Sequence, residues 1–343
     1  MTPQRMLAAM GQRITIVGPG AVGAALAGAF AASDAEVSLL GRPGPHFDAI
    51  AARGLALRGE EARTEHRHWF PTAYDAWRLP VPDLVVLCVK SQHLLSAARS
   101  VRTWIDRGAD VLVVANGVPW WLLSTVEYSR AGHVLRSVDP DGELLALLPA
   151  ERVMAGVAHF SSVVDSPGRV THVSGSRLIV GDPAGGVSHR VTRCVATLSA
   201  GAIRPEPAVD VRWDIWEKLL GNVNLNPVSA LTGATVLDIL DDPDTRRLCA
   251  AMFEETAAVG AALGIAGAMT ADGRLAVARE LGAFRTSMLQ DADHGRPLEL
   301  DAVVGAVREL ARHTGVPAPS LDTVHGLLAL RERVRGHART PGT

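Results

Sequence analysis

The chain has 343 residues, 48% of them hydrophobic, which is enough for about two domains, each with a core of its own. Its 34 Lys and Arg nearly balance 36 Asp and Glu, and a formal charge of -2 gives no overall attraction for nucleic acid or an anionic membrane. A small-molecule partner fits this balance best. The three cysteines, Cys88, Cys194 and Cys249, lie far apart without paired spacing and read as small buried apolar residues. The twelve histidines show no HxxH or HExxH spacing, so His159, His172 and His294 read as surface or core residues and no metal is expected. No Gly-x-Ser-x-Gly elbow points to a hydrolase. Neither a signal-peptide core nor a bilayer-length apolar segment is seen, so a cytoplasmic location is expected.

From Arg13 to Val17 a β-branched run enters Gly18, and Ala21 to Ala32 then reads as an Ala-rich helix. A second strand, Glu36 to Leu40, and a helix-like stretch through Ala52 complete a βαβ rhythm. Leu84 to Val89 and Val111 to Ala115 are continuous apolar runs, as expected of strands covered on both faces. Val153 to Val164, Gly168 to Ser174 and Arg177 to Val180 read as short strands separated by Pro-Gly and Ser-Gly turns. Beyond about Val209 long Ala- and Leu-rich helical patterns dominate to about Val334. The expected architecture is therefore α/β, with an N-terminal Rossmann-type dinucleotide-binding domain over 1–208 and an all-helical C-terminal domain over 209–343.

Gly18, Pro19, Gly20, Ala21, Val22 and Gly23 form a GxGxxG string between strand and helix, where glycines permit the tight turn, the approach of a pyrophosphate and close helix packing. An NAD site usually carries an acidic residue about 20 positions on; here Arg42 stands just past the second strand, suited to a 2′-phosphate, with a solvated loop arginine as the alternative. Lys90 and Asn116-Gly117 follow two strands at what should be their carboxyl ends, either as ligand contacts or as turn-formers.

In Trp213 to Gly233, Lys218, Asn222 and Asn226 recur every four residues, on a helical face that would more naturally carry Glu, Lys or Arg if it were merely solvated. Pro227 should kink or end the helix, which leaves Asn226 a capping role as its alternative. Thr286 to Asp291 reads as the end of one helical stretch, and a new one begins near Pro297-Leu298-Glu299, where Glu299 could be a partner for the helix dipole.

Taken together, GxGxxG, Lys90, Asn116-Gly117, the string from Trp216 to Pro227, and SMLQD followed by GRPLE resemble the ketopantoate reductase (2-dehydropantoate 2-reductase) family over nearly the whole chain. The resemblance implies NADPH-dependent reduction of ketopantoate to pantoate in pantothenate biosynthesis, with Lys218 as catalytic general acid and Glu299 as the carboxylate near it. It places Asn116, Asn222, Asn226 and Ser287 at substrate-binding positions, Asn116 also reaching the cofactor, and makes Arg42 and Lys90 NADPH contacts. A relative acting on another 2-keto acid and a catalytically silent NADP-binding sensor are the alternatives. The apolar content of the helical half allows a homodimer, and family members occur as monomers and as dimers. Two departures bear on the substrate: Leu298 stands where some members carry threonine, and Trp120 and Trp121 follow the Asn116 turn, reading as packing residues or as aromatic surface near the nicotinamide.

Overall fold

The computed structural model describes residues 11–59, 65–126, 134–265, 267–280 and 282–339. These group into two compact units, one of residues 1–115 with 143–211, the other of residues 116–142 with 212–343.

The first unit carries a ten-stranded sheet. Five of its strands, β1 (Arg13–Val17), β2 (Glu36–Leu40), β3 (Leu55–Arg58), β4 (Glu65–His68) and β5 (Thr72–Ala73), precede β6 (Leu84–Leu87) and β7 (Asp110–Val113). After these come β8 (Val153–Ser166), β9 (Arg169–Gly181) and β10 (Arg204–Pro207). Their order is β4-β3-β9-β8-β7-β6-β1-β2-β5, with β10 paired to β9. From β8 through β5 every neighbouring pair is parallel. Parallel sheets need cover on both faces, and β1 meets this with Ile14 and Ile16 fully buried and Thr15 satisfied by a 2.8 Å hydrogen bond to Ser38. Helix α1 (Ala21–Ala31) lies against the sheet with Ala24, Leu26, Ala27 and Phe30 inaccessible. Helix α2 (Pro45–Arg53) follows β2 and ends at Gly54.

The three short strands expected after residue 153 are two long ones. Ser174-Gly175 makes no turn; β9 runs through it, paired antiparallel to β8 with a register shift at His159/Phe160. Gly175 has φ +68, and a side chain there would meet the His159 carbonyl at 2.5 Å, so the glycine serves a bulge. The length of β9 lets it pair with β3 near its start and β10 near its end. Both prolines of β10 are tolerated because that strand lies at an edge.

The second unit is built on α3 (Val211–Thr232, from Arg212 onward), α4 (Val236–Asp241), α5 (Pro243–Ala262), α6 (Ala271–Arg279), α7 (Ser287–Asp293), α8 (Ala306–Thr314) and α9 (Pro319–Arg339). Pro227 does not end the long helix; α3 continues through it to Thr232. The lost amide is outweighed by burial of Val223, Leu225, Val228 and Ala230 around it. Asn226 is therefore an interior helical residue. The buried Asn224 holds the same stretch, its amide donating to the carbonyls of Leu220 and Cys249, both at 3.2 Å. Thr286 opens a helix instead of closing one, accepting the Leu289 amide at 3.2 Å as the N-cap of α7.

The described residues of 116–142 belong with this helical unit although a single cut near residue 208 would place them with the sheet. The carboxylate of Glu309 on α8, largely buried, accepts the Arg136 amide at 2.8 Å and the amide and hydroxyl of Ser137 at 2.7 and 2.6 Å. The Val118 amide donates to the Ala302 carbonyl at 2.8 Å. Trp120 and Trp121 are core, at 2% and 1% exposure, which assigns them to packing. Among the described residues, no helix is long and apolar enough to cross a membrane.

Candidate active site

In the sheet unit the glycine string makes the turn between β1 and α1, and each glycine serves a different end. Gly18 has φ +83, and a Cβ there would lie 2.9 Å from the Cys88 carbonyl and 2.5 Å from Val89. At Gly23 a Cβ would strike the Gly18 carbonyl at 2.4 Å, so the helix packs against the turn itself. Gly20 faces open space, with nothing within 4 Å of the position of its absent Cβ. One glycine for the turn, one for helix packing and one leaving room for a ligand is the pattern a pyrophosphate requires. Gly20 caps α1 without a side chain, and the first turn, which holds Ala21, Val22 and Gly23, contains no acidic residue. Its amides and the positive end of the helix dipole are thus left for an anion.

Arg42 follows β2 and is exposed; Lys90 follows β6 and is half-buried. His93, which the sequence reading passed over, joins them. Its imidazole pKa is lowered by burial first, then by the positive fields of Arg42 and Lys90, so the three bases are within electrostatic reach. The one available signal was its position three residues beyond Lys90, in the single turn Ser91–His93. A phosphate bearing two negative charges fits a cluster of this kind, and the cradle as a whole fits a dinucleotide phosphate.

In the helical unit, Lys218 and Asn116 meet across 102 positions of chain: Nζ of Lys218 donates to Oδ1 of Asn116 at 2.9 Å. The other end of the same amide donates from Nδ2 to Oε2 of Glu299 at 3.4 Å. Asn116 thereby bridges an ammonium and a carboxylate, using its acceptor on one and its donor on the other. Burial pushes Lys218 down to about 8, and the negative charge of Glu299 opposes that fall. Gly117 sets the bridge: its φ is +87, and a Cβ would lie 2.5 Å from the Ala302 carbonyl. Ala302 belongs to a π-helical turn, Asp301–Gly305, that begins two residues after Glu299. The wider turn and the glycine together seat Asn116 beside the carboxylate.

Asn222 and Asn226 stand one and two turns beyond Lys218 on α3, and both are half-buried. Ser287 is the first residue of α7 and is exposed. The hydrogen bonds join Asn116, Lys218 and Glu299 directly, whereas Asn222, Asn226 and Ser287 are placed by their elements alone. The three cysteines are free thiols, and burial pushes Cys194 and Cys249 up to about 12, far from a reactive thiolate. Among the described residues no cluster of His, Cys, Asp and Glu could hold a metal ion.

Two family models match the chain, one described as ketopantoate reductase PanE/ApbA over residues 14–185 and one as its C-terminal part over residues 210–332. The 2-dehydropantoate 2-reductase of Mesorhizobium japonicum is 38% identical over 92% of this chain and 96% of its own length. Among solved structures, a candidate ketopantoate reductase from Ralstonia solanacearum MolK2 superposes with a TM-score of 0.89 at 40% identity, covering 95% of this chain and 99% of that one. A 2-dehydropantoate 2-reductase from Methylococcus capsulatus gives 0.79 at 25% identity, covering 94% and 97%. With both halves matched in order and the Lys218, Asn116 and Glu299 side chains joined, the chain belongs to the ketopantoate reductase family.

Proposed function

We propose that this protein reduces 2-dehydropantoate to pantoate with NADPH, and that Lys218 supplies the proton. The observation that carries this reading is the Lys218–Asn116–Glu299 chain of hydrogen bonds, which a protein that only senses a nucleotide would not need. Bound NADPH supplies a hydride to a ketone carbon, which leaves negative charge on the oxygen. Lys218 answers that charge. Its pKa of about 8 keeps the ammonium mostly protonated at neutral pH yet makes it a better acid than a solvated lysine. The proton moves from Nζ to the oxygen, completing the hydroxyl, and Asn116 holds the nitrogen in place throughout. Glu299 keeps the lysine charged before the transfer. Asn222, Asn226 and Ser287 are neutral groups that can hold the carboxylate and hydroxyls of the substrate without competing for the proton. In the sheet unit the turn from Gly18 to Gly23 would hold the pyrophosphate, and Arg42, Lys90 and His93 the adenosine 2′-phosphate.

The test is oxidation of NADPH, followed by absorbance, with 2-dehydropantoate and with a panel of branched and aromatic 2-keto acids. We expect the highest kcat/KM on 2-dehydropantoate; binding of NADPH without turnover of any keto acid refutes the reductase reading. Cofactor preference is tested separately with Arg42→Ala. Loss of a charge-assisted phosphate contact should weaken NADPH by about 10- to 100-fold and NADH by much less. An equal loss for both nucleotides counts against a 2′-phosphate contact.

A further inference from the structure

His46 is the second residue of α2, outside every motif that marked the site, yet it reaches the glycine string. Its Nε2 lies 3.0 Å from the Pro19 carbonyl, and its Nδ1 lies 3.2 Å from the amide nitrogen of Gly168, in the turn between β8 and β9. An amide N–H can only donate, so Nδ1 must be the acceptor and the ring proton sits on Nε2, donated to Pro19. The turn that holds the far side of the ring is itself fixed, because the Gly168 carbonyl accepts the Ala56 amide of β3 at 2.9 Å. Burial lowers the imidazole pKa, in keeping with the neutral ring that this pairing requires, while the Pro19 and Ser166 carbonyls beside the ring oppose that fall.

We propose that His46 is a positioning residue of the dinucleotide loop, clamping Pro19 to the β8–β9 turn so that the start of α1 is held ready for the pyrophosphate. Pro19 is the residue between the first two glycines, and its carbonyl belongs to the peptide that leads into the N-cap Gly20. On its other side the loop is anchored by the Gly18 amide, which donates to the Leu40 carbonyl at 2.9 Å. With both anchors the turn is fixed before a ligand arrives, and binding pays no ordering entropy there. Without the ring, Pro19 loses a donor and the loop gains freedom on the side where the phosphates approach. The effect falls on cofactor affinity, because His46, Pro19 and Gly168 all belong to the sheet unit, whereas Lys218, Asn116 and Glu299 belong to the helical unit.

The inference rests on the NADPH reading, and direct binding separates the two. NADPH is titrated into the full-length protein, with nicotinamide fluorescence as the readout, for wild type, His46→Phe, His46→Gln and His46→Asn. Phe, which fills the space without polar atoms, should raise the NADPH Kd by about tenfold, the cost of ordering roughly one backbone residue of the loop at the moment of binding. At saturating NADPH, kcat and the keto-acid KM should stay at wild-type values. Gln can still reach Pro19 with a donor, whereas Asn can satisfy only the Gly168 amide, so Gln should bind NADPH more tightly than Asn. The Gln and Asn pair decides the matter even where Phe fails to fold. Wild-type affinity in His46→Phe, or Asn binding as tightly as Gln, overturns the clamp and leaves the reductase reading intact. A wild-type protein that binds no NADPH overturns both.

Discussion

Lys218→Ala should lower the rate of keto-acid reduction by about three orders of magnitude while the NADPH Kd stays within about twofold of wild type. In the proposed mechanism the variant removes both the proton and the positive charge that would answer the developing oxyanion, and it leaves the glycine string untouched. Single-turnover kinetics with saturating NADPH isolate the hydride step from product release. Turnover within about tenfold of wild type would remove Lys218 from the general-acid role.

The depressed pKa adds a pH signature with a definite sign. The acid must be protonated, so kcat should fall as pH rises through about 8. Glu299 raises the lysine pKa, so Glu299→Gln should move that alkaline limb to lower pH, and a limb that stays in place would deny the electrostatic link. Stability runs the other way. The folded group titrates near 8 and its unfolded counterpart near 10.5, so between those values the unfolded chain binds more protons and folding becomes more favourable as pH rises. Below pH 8 the desolvated ammonium is a standing cost to folding. Lys218→Met should therefore be inactive yet melt higher than wild type at pH 7, as expected where an active site is held against its own stability.

Which parts of this site could be read from the chain follows from how local they are. The glycine string, the helix of Lys218 and the strand ends at Arg42 and Lys90 are each set by a few consecutive residues, and all are visible as spacing. Contacts between distant segments are not. Nothing in the neighbourhood of Asn116 announces a partner 102 residues away, and His46 touches Pro19 only because α2 returns beside the turn. Pro227 left both a kink and a helix end open, and the end is excluded because the helix runs on to Thr232 with the residues around the proline buried. Ser174-Gly175 misled because glycine serves a bulge as readily as a turn, and only pairing with β8 distinguishes them. The π-helical turn after Glu299 left no trace in the apolar periodicity, although its Ala302 carbonyl holds the Val118 amide two residues from Asn116.

That bridge supplies the second large effect. Gly117→Ala adds one methyl group far smaller than any catalytic side chain, yet it meets two obstacles at once. The backbone at φ +87 disfavours any L side chain, and the new Cβ would lie 2.5 Å from the Ala302 carbonyl. Relief requires the turn to move off the π-helical segment, which breaks the 2.8 Å bond from the Val118 amide and carries Asn116 away from Lys218 and Glu299. The strain and the overlap together should lower stability by about 2–3 kcal/mol. A shift of this kind in a positioning group should lower kcat/KM by about 100-fold. The two consequences are separated by a double-mutant cycle. If Gly117 acts on catalysis through Asn116, the pair Gly117→Ala with Asn116→Ala should be no slower than Asn116→Ala alone, measured well below the melting temperature of each variant. Additive losses would mean that the glycine reaches the chemistry by another route, and the bridge would then be a consequence of the packing at Ala302 and not the purpose of it.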